Sequence, residues 1–263
     1  MSASNTSASF RQRVQAREVL LGTFLQLASP VATEIVAGAG FDWVLVDLEH
    51  GADSEATLIA ELQACGGNAV PAMVRVESSE RLRIGRALDA GAQGIMVPRI
   101  ETADQAALAA RCLRYPPEGV RGVARGTRGA GFGRVAVGDI ARLNEGVVGI
   151  IQIETRRSVE TVDAIAAVDG VDVLFVGPSD LSVALGISGQ LDHPDFRTAL
   201  ERIVVAANRH GKSVGTLLRS AQDVAPAVRD GITFLGIASE ATALANGIRA
   251  VVKEARTALS VHG

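Results

Sequence analysis

Eight short apolar runs, beginning near residues 20, 43, 72, 94, 148, 171, 213 and 233, alternate along this chain with stretches of helical periodicity. Short strands separated by helix-length segments are the pattern of parallel strands joined by crossovers. Eight such units within 263 residues predict an α/β protein of the (β/α)8 barrel type, in which every strand is buried on both faces. A doubly wound sheet is the competing architecture. The turn after the first strand carries no GxGxxG, however, and no GxxxxGK[ST] occurs, so the barrel is preferred.

The punctuation agrees with this reading. Residues 1–9 (MSASNTSAS) are small and polar and read as a flexible tail, leaving 10–263 as one domain. A first helix is expected over Phe10–Arg17. Ser29-Pro30 supplies an N-cap and a proline at the first helical position, and Thr102 caps another helix through Arg111. Further helices are expected over Glu55–Ala64, Ser79–Ala90, Val137–Asn144, Ser158–Val168, Asp195–His210, Ala221–Arg229 and Ala241–Leu259.

Two of the strands end abruptly in a carboxylate: Val148-Gly-Ile-Ile-Gln-Ile-Glu154 and Val171-Asp-Val-Leu-Phe-Val-Gly-Pro-Ser-Asp180. Consecutive parallel strands place their C-terminal ends on one rim, so Glu154 and Asp180 are expected side by side on the functional face. Structural hydrogen bonding is one reading of the pair, since helix starts attract carboxylates. A divalent-metal site is the other. Hard oxygen ligands favour Mg2+ or Mn2+ over Zn2+, with Co2+ also compatible.

Other polar residues fall at strand ends. His50 follows Trp43-Val-Leu-Val-Asp-Leu48 and has the address of a general acid or base; the other histidines lie in a loop, at a helix end and in the C-terminal tail. Asp89 is either a partner that orients His50 or simply a helix-end aspartate. Asp47 and Glu49 flank His50 and suit water ligation or a bonding network. Arg75 closes its strand and suits a carboxylate or enolate oxygen. Gly177-Pro-Ser-Asp180 offers backbone N–H groups for a substrate carboxylate. The two lysines, Lys212 and Lys253, precede a strand and sit in the terminal helix, so neither is placed to form a Schiff base. Carbanion chemistry on this rim therefore leans on a metal ion.

The rhythm breaks between Arg114 and Arg134, where Gly, Pro and Arg dominate. This stretch is expected on the strand-end face, as a lid, a subunit contact or a solvated connector. The formal net charge of -3 provides no basic field for nucleic acid. Charges interrupt every apolar run too often for a membrane span. Cys65 and Cys112 show neither metal nor disulfide spacing. A cytoplasmic location is expected.

Gly40-Phe-Asp-Trp-Val-Leu-Val-Asp-Leu-Glu-His50, Leu88-Asp-Ala-Gly-Ala-Gln-Gly-Ile-Met-Val-Pro98, Tyr115-Pro-Pro-Glu-Gly-Val-Arg-Gly122, Gln152-Ile-Glu154 and Gly177-Pro-Ser-Asp-Leu181 together resemble the HpcH/HpaI family. The resemblance covers roughly residues 18–250. It implies a modified (β/α)8 barrel, a homohexamer built as a trimer of dimers with exchanged C-terminal helices, and class II pyruvate-dependent aldolase activity on 4-hydroxy-2-oxo acids. By the same resemblance, Glu154 and Asp180 hold the divalent metal, and His50 is the base supported by Asp89. Arg75 steadies the pyruvyl oxygen, Gln152 lies at the pyruvate pocket, and the amides of Ser179 and Asp180 receive the carboxylate. Phe24 stands where tryptophan is frequent in such aldolases and would reshape the pocket; Ser239-Glu240 replaces a common Ser-Asp pair. Small-molecule 2-oxo acids and aldehydes are the implied partners. Metal-dependent oxaloacetate decarboxylation, or lysis of a related 2-oxo acid or CoA ester through the same enolate, is the alternative activity.

Overall fold

The structure is a computed structural model that describes residues 8–52 and 54–260. Of the expected N-terminal tail, residues 1–7 lie outside this range. Ser9 opens α1 (Phe10–Gln15): its Oγ accepts the Gln12 N–H while Gln12 Oε1 accepts the Ser9 N–H. α1 lies across the strand-start end of the molecule, with Phe10 and Val14 packed into the interior cluster.

The chain then alternates: β1 (Leu20–Leu25), α2 (Pro30–Ala37), β2 (Trp43–Asp47), α3 (Glu55–Gly67), β3 (Ala72–Arg75), α4 (Arg81–Ala90), β4 (Gly94–Val97), α5 (Ala103–Cys112) and β5 (Val148–Ile153). It continues with α6 (Arg156–Glu160), α7 (Val162–Ala166), β6 (Val173–Val176), α8 (Pro178–Ala184), α9 (Pro194–Arg209), β7 (Ser213–Leu218), α10 (Val224–Arg229), β8 (Phe234–Ser239) and α11 (Glu240–Ser260). All neighbouring strands are parallel, and β8 pairs with β1 to close the barrel.

Alternation along each strand builds two cores. In β2, Trp43 and Leu45 point into the barrel, where they meet Phe24, Met73, Met96, Phe175 and Phe234. Val44 and Val46 point outward against the helices, among Leu58, Leu62, Ile84 and Leu88. This explains why the strands read as continuous apolar runs. Trp43 stacks on Phe234 with ring centroids 4.2 Å apart. Gly22 makes room for the indole, since a Cβ there would lie 2.1 Å from it.

Three expectations need correction. The helix predicted over Ser158–Val168 is broken at Thr161, whose Oγ1 donates to the carbonyls of Glu101 and Arg157. The segment Val137–Gly146 winds as a 3-10 helix. The arginine-rich excursion also lies at the opposite end from the one expected. It leaves the C-terminus of α5 and leads into the start of β5, so it covers the strand-start face. There Arg128 donates to the Leu62 carbonyl, and the excursion lines a hollow with Ala72, Gln93 and Val147. Tyr115, Ala130 and Ile140 give it a small core of its own. It is therefore not a lid over the strand ends of its own barrel.

α11 buries only Glu240 against its own barrel. Both cysteines are buried and free. No helix among the described residues is long and apolar enough to cross a membrane.

Candidate active site

The carboxyl ends of β2, β3 and β5 converge on one buried network. Asp47, the last residue of β2, is fully buried, and Arg75, the last of β3, is 7% exposed. Their register pairs them across the sheet. Arg75 Nε donates to Asp47 Oδ1 at 2.8 Å and Nη2 donates to Oδ2 at 2.6 Å, a fork-on-fork pair. Arg75 Nη1 lies 3.2 Å from Glu49 Oε2 and donates to Gln152 Oε1 at 3.5 Å. The Phe24 ring supports the guanidinium from below at 5.4 Å. Gln26 Nε2 donates to Asp47 Oδ2 at 2.9 Å. The turn after β2 is tied to the same carboxylate, because Glu49 and His50 donate their N–H groups to Asp47 Oδ1.

Glu154 follows β5 and is 5% exposed. Its Oε1 accepts the Arg99 N–H at 2.8 Å, its Oε2 accepts from Gln152 Nε2, and its own N–H is taken by Ser158 Oγ. Arg99 adopts φ +56°, a strained value for a residue with a Cβ. Gly177 lets these side chains sit close: a Cβ there would lie 2.9 Å from both Gln152 Nε2 and Glu154 Oε2. Pro178 starts α8 without any side-chain cap, which leaves the first-turn amides around Ser179 and Asp180 open to a ligand. Ser179 and Asp180 are exposed on the rim.

The electrostatics are unbalanced. Burial works to lower Arg75, but the bonds and charge of Asp47, with Glu49 and Glu154, outweigh it and hold the guanidinium above its ordinary value. For Asp47, burial pushes upward, yet Arg75, Gln26 and the His50 amide keep it below the usual carboxylate range. Burial raises Glu49, and Asp47 and Asp180 add to the rise against the pull of Arg75 and His50. Glu154 is raised by burial as well; the Arg99 amide and Arg75 oppose this, while Glu49 and Asp180 reinforce it. The rim thus carries more carboxylate than its single buried arginine can neutralise.

His50 stands exposed beside this network, its Nε2 3.9 Å from Glu49 Oε2. Asp89 does not join it within this chain. It sits at the C-terminus of α4, at the strand-start end, where Arg121 Nη2 donates to it at 2.9 Å. A helix that runs back across the barrel ends opposite the strand tips, so within one chain Asp89 takes the second of its two readings, a helix-end aspartate. Gln26 and the Arg99 amide were missed. Gln26 falls one residue beyond β1, and a backbone donor leaves no trace in residue type.

Among the described residues, no three or more His, Cys, Asp or Glu side chains are grouped to hold a metal. The donor set offered is smaller: Glu154 and Asp180, two hard carboxylates, with the charge of Asp180 adding to the burial that raises Glu154. Surplus negative charge with oxygen donors fits a divalent cation that completes its shell with water and substrate oxygens. A cavity of about 410 Å³ adjoins the network and is lined by Phe24, Gln26, Ser179, Leu217, Arg219 and Thr242, among others.

A closed barrel with an arginine–aspartate fork and spare carboxylates at its strand ends defines an enzyme that handles an anionic intermediate. The model of the family described as HpcH/HpaI aldolase/citrate lyase matches residues 20–247. The 5-keto-4-deoxy-D-glucarate aldolase of Klebsiella pneumoniae is 41% identical over 231 residues, 88% of this chain and 90% of that protein. A HpcH/HpaI aldolase/citrate lyase family structure from Burkholderia cenocepacia is 37% identical with a TM-score of 0.88, covering 94% of this chain and 98% of that one. A HpcH/HpaI aldolase from Desulfitobacterium hafniense is 32% identical with a TM-score of 0.89, covering 95% and 97%. This chain belongs to the HpcH/HpaI aldolase/citrate lyase family. It is an enzyme of the class II pyruvate-aldolase type, a class that acts on 4-hydroxy-2-oxo acids and is associated with divalent metals.

Proposed function

We propose that the rim cleaves a 4-hydroxy-2-oxo acid reversibly into pyruvate and an aldehyde, with Glu154 and Asp180 as the protein ligands of Mg2+ or Mn2+, Co2+ also being accepted. The observation that carries the assignment is the carboxylate surplus around Arg75, with Glu154 clamped by the Arg99 amide and Gln152. When bound, the ion supplies Lewis-acid stabilisation of the 2-oxo oxygen and of the enolate that develops from it. Arg75 offers Nη1 towards the same oxygen, held in a fixed plane by Asp47. The amides of Ser179 and Asp180 take the 1-carboxylate, and Gln152 bounds the pyruvyl pocket. His50, directly or through a water, removes the 4-hydroxyl proton as the C3–C4 bond breaks. Protonation at C3 then gives pyruvate.

The assembly is part of the proposal. α11 exposes Leu244, Ile248, Val251, Val252 and Leu259, while α2 exposes Val31 and Ile35. Apolar faces of this size on a helix that leaves its own barrel support exchange of α11 between subunits, as in a hexamer made from a trimer of dimers.

His50→Ala separates cleavage from the decarboxylase alternative. Aldol cleavage needs a base at a weakly acidic hydroxyl, whereas loss of CO2 from oxaloacetate creates the enolate without one. kcat/KM for cleavage is expected to fall at least about 100-fold and that for decarboxylation much less, at matched, saturating metal. Equal fractional losses contradict His50 as the base. Oxaloacetate turnover without cleavage of any 4-hydroxy-2-oxo acid contradicts the aldolase reading.

A further inference from the structure

The last strand leaves the barrel through a strained turn that aims one buried carboxylate back over β1. Pairing of β1 with β8 shifts register between Gly22 and Phe24, and Ala238 adopts φ +55° although it carries a Cβ. Thr23 Oγ1 donates to the Ile237 carbonyl, with that of Ala238 also in reach, and holds the turn from β1. Ser239 Oγ accepts the Thr242 N–H and so caps α11. Glu240 is left to reach sideways. Its Oε1 accepts the N–H groups of Gln26 and Leu27, just beyond β1, and its Oε2 accepts the Ala241 N–H. It is 8% exposed, and among the described residues it is the one that α11 buries against its own barrel.

Gln26 passes this hold on to the turn after β2. Its carbonyl accepts the Ala52 N–H at 3.0 Å, and its Nε2 donates to Asp47 Oδ2 at 2.9 Å. The two segments run close together, since a Cβ on Gly51 would lie 3.3 Å from the Gln26 Cα and 2.2 Å from the Asp47 carbonyl oxygen. His50 sits inside this loop, with its own N–H on Asp47 and Ala52 tied to Gln26. The imidazole meets Glu49 at 3.9 Å, beyond hydrogen-bond length, so its place within this chain is set by the loop backbone. Arg75 differs, because its own fork on Asp47 fixes it.

We propose that Glu240 is a positioning residue for the base: from the head of α11 it holds Gln26, and through Gln26 it holds the loop that carries His50. This rests on the reading of His50 as the base of aldol cleavage. A base that must meet a hydroxyl proton in one geometry loses rate steeply when displaced by about 1 Å. Enolate stabilisation draws on Arg75, whose fork on Asp47 persists when Gln26 loosens. The helix that leaves the barrel and the proton-transfer side of the reaction thereby share one joint.

The test compares Glu240→Met, which keeps the volume but removes both oxygens, with Glu240→Gln, which keeps one oxygen for the Gln26 and Leu27 amides. In Glu240→Met, kcat for cleavage of the pyruvate–glyceraldehyde aldol is expected to fall about 10- to 100-fold, with KM within about threefold. Oxaloacetate decarboxylation at saturating divalent metal, which needs no base at a hydroxyl, is expected to fall less than about threefold. Glu240→Gln is expected to recover most of the loss. In a His50→Ala background, Glu240→Met is expected to cost the residual cleavage less than about twofold, because the group it positions is gone. Equal fractional losses of cleavage and decarboxylation overturn the proposal, and so does an additive loss in the double variant; either marks a residue that only braces the fold. Cleavage by Glu240→Met within about twofold of wild type overturns it as well. A second measurement needs no variant to fold. Amide hydrogen exchange in wild type is expected to protect Ala52, on an exposed loop, as well as it protects Gln26 and Leu27, since tied segments open together. Fast exchange at Ala52 beside protected Gln26 and Leu27 overturns the relay. If His50→Ala alone leaves cleavage unchanged, the reading of His50 as the base falls and takes this proposal with it.

Discussion

Two buried arginines mark opposite ends of this barrel and sit in opposite imbalances. Arg75, at the strand ends, is gripped by Asp47 and flanked by Glu49, with Glu154 and Asp180 nearby, and its pKa is raised. Arg114, at the strand starts, reaches Asp172 only at 3.9 Å, and neither terminal nitrogen has a hydrogen-bond partner among the described residues. Burial, and then Arg11, push it down to about 10 against the pull of Asp172 and Glu118. One end has carboxylate to spare and the other has cation to spare. Burial of charge is therefore not what marks the site, since both ends have it. The sign of the surplus does: spare carboxylates call for a cation, and only the strand-end rim offers them.

The largest expected effect comes from removing that surplus. Glu154→Gln and Asp180→Asn are each expected to lower kcat for cleavage at least ~1,000-fold, about 4 kcal/mol of transition-state stabilisation, and to lose bound divalent ion while the circular dichroism spectrum is retained. Arg114→Met should leave kcat within about twofold, because it acts at the far end. Full metal stoichiometry in both carboxylate variants would erase the contrast.

Next come the arginines themselves. Arg75→Lys keeps a charge but not the planar fork, so kcat is expected to fall more than tenfold, about 1.4 kcal/mol. Arg75→Met is expected to cost ~3–5 kcal/mol of stability because it leaves Asp47 buried without its partner. Arg114→Met removes a poorly paired buried charge and should be neutral or stabilising. Urea unfolding of both methionine variants reads the difference, and equal losses would show that the two arginines are held alike.

The smallest effect is the pH dependence of stability. A carboxylate raised in the folded state takes up protons on folding. Its contribution therefore falls as pH climbs from the ordinary carboxylate value through the raised one, and Glu49 and Glu154 behave this way. Asp47, held low, works in the other direction: its contribution is present above its ordinary value and is lost as pH falls through the depressed one. In metal-free protein the melting temperature is expected to decline as the pH rises above the ordinary carboxylate value, by no more than ~4 °C. Glu154→Gln should flatten the decline, and added Mg2+ should reduce it. A decline that survives both would place the raised groups elsewhere.

The barrel was legible because its evidence is distributed: each strand is apolar on both faces, and the caps at Ser29 and Thr102 fall where helices begin. Glu154, Asp180, Arg75 and Gln152 were legible for a related reason, as polar residues at the ends of apolar runs have one rim to share. What failed was direction. The excursion beyond Arg114 lies close in sequence to strand β5, but on the side where that strand begins, and Asp89 lies at the same end of its own chain. Composition does not say which end of a strand a loop serves; only the parity of strand and helix does. Gln26 and Arg99 were hidden for a different reason. Their contributions are an amide donated to Asp47 from just beyond β1, and a backbone N–H made available by a strained φ.

The most direct measurement of the central claim is exchange of the pyruvate methyl protons into deuterated water, followed by NMR in wild type and Glu154→Gln, with and without Mn2+ or Mg2+. It needs no aldehyde and reads enolate formation alone. The charge surplus at the rim predicts exchange in wild type that depends on added metal and is lost in Glu154→Gln, while Arg114→Met exchanges at the wild-type rate. Exchange that is equal with and without metal, or that persists in Glu154→Gln, would contradict it.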